Sequence, residues 1–138
     1  MQNNPGGKSV FDMDANLVAM LCYVANLVCC CGLILSIITL IQDKTNKLAR
    51  FHAWQSILLS VAPLLLFGVW LVCYFVGVVI DIAIGIPIFS IILWLVYLLL
   101  ILVYLACFVG IIISAIKAYN GEIFKLPIIG GLADKYSN

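Results

Sequence analysis

The chain has 138 residues, 66% hydrophobic and 9% charged, with a formal net charge of +1 and a mean hydropathy of +1.26. A soluble domain carries roughly 25% charged residues, so this composition excludes a water-facing globular surface and predicts an integral membrane protein. The near-neutral balance offers no electrostatic footprint for nucleic acid, and the length fits one domain.

Residues 1–13, MQNNPGGKSVFDM, are polar and read as a flexible leader before a helical domain over 14–138. The first apolar run, Leu17–Ile41, exceeds the about 7–15 residues of a signal-peptide core. It meets the ~20 residues that a membrane span needs, and reads as a retained transmembrane helix. On it Cys22, Ala25, Cys29, Gly32, Ser36 and Thr39 recur in steps of three and four, which places them on one face. All are small, and small faces let helices approach closely in lipid. The alternative for this face is a thin path lined by hydroxyls and thiols. Asn26 lies beside it and needs a partner across a helix interface. The cysteines at 22, 29, 30, 31, 73 and 107 all lie in apolar runs. They are not placed for a loop disulfide framework and have no His or carboxylate beside them for a metal. They read as buried packing residues.

A polar connector, Gln42 to Arg50, offers Thr45 or Asn46 as the cap of the next helix. From Phe51 to Ile116 the one formally charged residue is Asp81. Asp81, Gly85 and Pro87 punctuate this run. They divide it into spans of about 51–80 and 88–117. Asp81 reads as a loop residue, a cap for the following helix or an ion-attracting mouth. Tyr97 and Tyr104 share a side of the last span, and the deeper Tyr104 hydroxyl needs a partner. The fold expected is all-α, a membrane bundle of three transmembrane helices, with four as the alternative. Three spans put Lys44, Lys47, Arg50, Lys117, Lys125 and Lys135 on one side and leave Lys8 on the other. The positive-inside tendency then sets the N-terminus outside and the C-terminus in the cytoplasm. Asn120-Gly121 stops the last helix. The apolar tail from Ile123 onward is expected on the membrane surface or folded back against the spans.

The stretch KLARFHAWQSILL, from Lys47 to Leu59, joins polar and aromatic residues at a membrane boundary. On a helix His52, Gln55, Ser56, Ser60 and Pro63 share one side. Phe51 and Trp54 point elsewhere and suit an interfacial belt, and Arg50 and Lys47 are placed to snorkel to headgroups. His52 is read as an anchor and packing residue, with a conducting or binding role as the alternative. No nucleophile–base constellation surrounds it, and no zinc-protease, phosphate-loop or serine-hydrolase motif occurs. Neither an enzyme, a metal nor a cofactor is therefore expected.

Three patches carry a resemblance. They are DANLVAMLCY from Asp14, RFHAWQS from Arg50, and AYNGEIFKLPIIGGLADKYS from Ala118. Together they resemble the family named after the twenty-kilodalton component of the chloroplast inner-envelope protein translocon, which has prokaryotic members of unknown function. The resemblance implies a link to protein translocation or membrane biogenesis. It marks Arg50, Phe51, His52, Trp54, Gln55, Ser56, Gly121, Lys125, Pro127 and Gly130 as an inner-rim motif. The expected function is a small multi-pass subunit that assembles with itself or with a larger membrane complex. A homo-oligomeric pore and a lipid-binding membrane protein are the alternatives. Membrane lipids are the expected contacts, in a prokaryotic cell membrane or, less in keeping with the sequence, a plastid inner envelope.

Overall fold

The computed structural model describes residues 7–27, 31–127 and 129–137. Among them the regular structure is helical: α1 (Ala15–Val24), α2 (Cys31–Gln42), α3 (Lys47–Ile84), α4 (Ile88–Tyr119) and α5 (Ile129–Ser137). No strand occurs among the described residues. Lys8 and Asp14 form one isolated bridge, closing a loop in which Ser9 donates its N–H to the Met13 carbonyl at 2.8 Å. Two compact units are distinguished: residues 1–60 with 108–138, and residues 61–107.

The continuous helix expected over Leu17–Ile41 is replaced by two helices. α1 and α2 hold 10 and 12 residues, about 15 Å and about 18 Å of helix. α1 tightens into a 3-10 turn at Ala25–Leu27, and the chain comes back as α2. The pairing is antiparallel. Gly32 lies against the Asn26 backbone and the Cys22 carbonyl, and further along α2 the Thr39 hydroxyl approaches the Cys22 sulfur at 3.9 Å. A β-carbon at position 32 would collide with both backbones, so glycine fixes how closely the two helices pack.

The α2–α3 connector is held by Asp43, whose Oδ1 accepts the N–H groups of Thr45 and Asn46 at 3.0 and 2.9 Å. Burial works to raise the Asp43 carboxyl. The Ser9 hydroxyl and these backbone donors outweigh it and leave the carboxyl below its usual range. Of the two cap candidates, Asn46 does the capping, its Oδ1 accepting the Leu48 N–H at 3.0 Å. Arg50, expected to reach for headgroups, instead donates Nη1 to the carbonyls of Leu40 and Asp43 at 3.0 and 2.9 Å. It closes the C-terminus of α2, where free carbonyls and the helix dipole favour a cation.

Two helices, α3 with 38 residues and α4 with 32, are long and apolar enough to cross a membrane. In the unit of residues 61–107 they form a hairpin that turns at Gly85, whose φ is +79°. Asp81 takes the role of cap: its carboxylate accepts the N–H groups of Phe89 and Ser90 at 2.9 and 2.7 Å and the Ser90 hydroxyl. Trp70 donates to the Leu93 carbonyl at 3.0 Å and packs on Tyr97 with ring centroids 4.8 Å apart. Tyr104 donates to the Pro63 carbonyl at 2.8 Å, which supplies the partner it needed.

At its C-terminus α4 stops at the expected place. Gly121 adopts φ +75°. Its N–H bonds the Ala118 carbonyl and that of Glu122 bonds the Lys117 carbonyl, both at 3.0 Å, a Schellman turn. The tail then folds back and ends in α5.

The α1–α2 contact generates a test. Gly32→Ala is expected to destabilise the chain by about 1–3 kcal/mol, the usual range for overpacking. Gly68→Ala, whose β-carbon would meet nothing, is expected to leave stability unchanged or slightly raised. Unfolding midpoints of the purified protein in mild detergent read both.

Candidate functional site

The inner-rim residues come together in the first unit, where α1, the start of α3, the end of α4 and the tail meet. His52 and Gln55 are both fully buried. His52 Nδ1 lies 2.9 Å from the Tyr23 hydroxyl and Nε2 lies 3.0 Å from the Glu122 carbonyl. A carbonyl only accepts, so Nε2 carries the hydrogen and Nδ1 accepts from Tyr23. Both ring nitrogens of a neutral imidazole are thereby used.

Gln55 is used up in the same way. Its Nε2 donates to Ser114 Oγ at 3.2 Å, and its Oε1 accepts the Leu126 N–H at 3.4 Å. Ser56 donates to the Cys22 carbonyl at 2.7 Å and accepts from Asn26 Nδ2 at 2.7 Å. This is the cross-helix partner expected for Asn26, and it falls where α1 gives way to its 3-10 turn. One turn on, Ser60 donates back to the Ser56 carbonyl at 2.9 Å.

Phe51 and Trp54 do not form the belt expected of them. Phe51 is fully buried. Trp54 packs its ring on Tyr136 of α5, with centroids 5.4 Å apart. Asp134 of α5 pairs with Lys125 at 2.8 Å and with Lys47 at 3.5 Å. Gly130 presses on the Lys125 backbone, where a β-carbon would stand 2.6 Å from Cα. Pro127 is exposed and its carbonyl accepts the Ile129 N–H at 2.8 Å, opening the turn into α5.

Of the small face, Cys22, Gly32, Ser36 and Thr39 are buried and Ala25 is half-buried, on two helices rather than one. Cys29 lies outside the described residues, as do Cys30 and Ile128. The reading of every cysteine as buried needs correction: Cys31 and Cys73 are exposed and Cys107 is half-exposed. Tyr23, Ser114, Asp134 and Tyr136 are the members that sequence reasoning missed. Ser114 had a usable signal, a hydroxyl inside the apolar run FVGIIISAI. Tyr23 gave none, because a tyrosine in an apolar helix reads as packing.

His52 and Gln55 have every polar atom engaged within the chain, while Asn26 Oδ1 and Trp54 Nε1 beside them are buried without a hydrogen-bond partner among the described residues. Among the described residues no three His, Cys, Asp or Glu side chains gather as metal ligands would. The hydrogen bonds instead join side chains to one another and to backbone across four segments.

The family model that matches this chain is described as the magnetosome magnetite crystal formation protein family, and it matches residues 14–133. The chain belongs to that family. Among the relatives of this magnetosome-family chain is a UPF0132 membrane protein of Methanocaldococcus jannaschii, 36% identical over 134 residues, covering 95% of this chain and 96% of the relative. A second UPF0132 membrane protein of that archaeon is 30% identical over 128 residues, covering 90% and 71%. One from Archaeoglobus fulgidus is 30% identical over 123 residues, covering 89% and 95%. No solved structure matches. These findings overturn the resemblance to the chloroplast translocon component. The magnetosome-family match takes in the Asp14 and Arg50 patches whole and nearly all of the closing one, and the relatives are archaeal membrane proteins. The chain is a member of a family of small membrane proteins.

The cluster makes two expectations. His52→Ala leaves the Tyr23 hydroxyl and the Glu122 carbonyl without partners. The Tyr23 hydroxyl is the fully buried one of the two, and at about 1–3 kcal/mol for a buried unpaired group a loss of about that size is expected, with new protease cleavage in residues 122–127. The exposed Lys44→Ala is the control and stays uncleaved. The second concerns pH. The Lys125 ammonium, hydrogen-bonded to Asp134 and helped by Lys47, holds that carboxyl below its usual 3.8. A lowered folded value means that the pair stabilises fully above the unfolded value and is lost as pH falls through the folded one. Cleavage of α5 is therefore expected to rise below about pH 4, read with an acid-active protease, and at neutral pH to rise with salt, read with a protease active there.

Proposed function

We propose that this chain is a small multi-pass membrane subunit of a prokaryotic cell membrane, without catalytic activity of its own, that assembles with itself or with a larger membrane complex. α3 and α4 cross the bilayer, and the C-terminal tail stays in the cytoplasm. The observation that carries the reading is the engagement of His52 and Gln55 at the centre of the polar cluster. Both nitrogens of His52 and both polar atoms of Gln55 are taken by groups of the same chain. The cluster therefore works as a clamp that holds the tail on the helices.

What remains to act is surface. Leu64, Val69, Leu99 and Leu102 are each more than 60% exposed, and such helix faces are covered by lipid or by other helices. A pore lined by the His52 strip is disfavoured, because that strip faces inward on its own chain. The lipid-binding reading keeps one observation in its favour, an apolar groove of about 320 Å³ whose lining includes Met20, Leu27, Ile112 and Tyr119. Magnetite crystal formation stands in the family's description alone. The archaeal relatives are described as membrane proteins, and the proposal rests on them and on the geometry.

Extraction of the tagged protein in a gentle detergent, with sizing by light scattering and mass spectrometry of what accompanies it, tests the reading. A discrete species of more than one chain is expected. A monomer that brings no other protein would sink it.

A further inference from the structure

The α1–α2 hairpin is the feature that the subunit reading leaves unexplained. Residues 15–42 contain no charged side chain. Their outer face carries Leu27, Ile34, Ile37 and Ile41, all more than 40% exposed. A face of this kind is not a water surface. Yet neither helix is long enough to cross: about 18 Å against ~30 Å of hydrocarbon.

The base of the hairpin is fixed at one level. At the start of α1, Asn16 donates to the Tyr119 carbonyl, at the end of α4, over 3.1 Å. The end of α2 is tied to the start of α3 by Arg50 and Asp43. The Ser9 hydroxyl of the N-terminal loop bonds that same Asp43. Four helix ends and the N-terminal loop therefore lie together. From there α1 climbs beside α3, with Tyr23 at His52 and Asn26 at Ser56, and α2 comes back down.

We infer that α1 and α2 form a re-entrant hairpin that dips into one leaflet of the bilayer and returns, so that the N-terminus lies on the same side as the C-terminus. The partner of its outer face is the acyl chains of that leaflet. The groove flanked by Met20, Leu27 and Ile112 has no polar lining and opens sideways to the same tails. The charges agree. Lys8, Lys44, Lys47, Arg50, Lys117, Lys125 and Lys135, all of the Lys and Arg in the chain, then stand on one side. The positive-inside tendency is obeyed without the exception that three spans leave at Lys8. The inference rests on the multi-pass reading of α3 and α4 and replaces the outside N-terminus that a single first span implies.

The test uses the whole chain in sealed membrane vesicles of both orientations, with a membrane-impermeant amine reagent and peptide mass spectrometry. A short epitope inserted at Gly85 marks the far end of α3 in a parallel sample. Lys8 is expected to be modified in the same orientation as Lys44 and Lys135, and the epitope to be reached in the opposite one. Modification of Lys8 only in the opposite orientation overturns the hairpin and leaves the multi-pass reading standing. An epitope reached from the lysine side means that α3 and α4 do not cross; it overturns the multi-pass reading and the hairpin with it. A photoreactive residue in place of Ile34 identifies the occupant of the outer face. Phospholipid adducts are expected, and a cross-link to a second copy overturns the leaflet as the partner.

Discussion

A hydrogen-bonding group surrounded by hydrocarbon has no water to fall back on, and leaving it unpaired costs several kcal/mol. That constraint organises the first unit of this protein. His52, Gln55 and Ser56 sit on consecutive turns at the start of α3 and are fully buried. Each must find its partners on another segment. Tyr23 and Cys22 supply them from α1, Ser114 from α4, and the Glu122 carbonyl and Leu126 N–H from the tail. The tail is held because side chains of α3 need its backbone as much as its backbone needs them.

The same requirement explains the helix ends. Arg50 spends its charge on the last carbonyls of α2, Asp43 on the amides before α3, and Asp81 on the first amides of α4. Charged side chains near an apolar medium are costly unless they are paired. Here Arg50 and Asp81 cap helix ends, where partial charges of the opposite sign are already fixed by the backbone, and Asp43 pins the turn that leads into α3. Charge that looks, in sequence, like a link to solvent or headgroups is turned inward.

The parts of the fold legible in the sequence are those marked by residues with unusual backbones or charge. Asp81, Gly85 and Pro87 stood out in a long apolar run, and the turn lies there. Asn120-Gly121 announced the end of α4, and Gly121 takes the positive φ that a Schellman turn needs. The reversal between α1 and α2 had no such mark. NLVCCCG contains no proline and no charge, so hydropathy alone joins the two helices into one long span. What separates them is tertiary: the room for backbone contact at Gly32 and the hold of Ser56 on the Cys22 carbonyl. The candidate site was half legible. RFHAWQS and the closing PIIGGLA patch announced two of the segments, because polar residues in greasy surroundings need partners. The identities of those partners were hidden, since Tyr23 and Ser114 carry one hydroxyl each in helices that otherwise read as packing. The short patches were also too small to distinguish one family of membrane proteins from another.

The capped turn between α3 and α4 bears on how this chain reaches its place. On the proposed topology, one carboxylate, Asp81, is the whole ionised load that must pass through the hydrocarbon during insertion, and ionised groups are what make that passage expensive. The donors that hold it come from Phe89 and Ser90, only eight and nine residues further along the chain. The hairpin can therefore close its own apex before it enters and bring the acid across already hydrogen-bonded. All of the lysines and the arginine stay behind, and act as the brake that fixes its orientation.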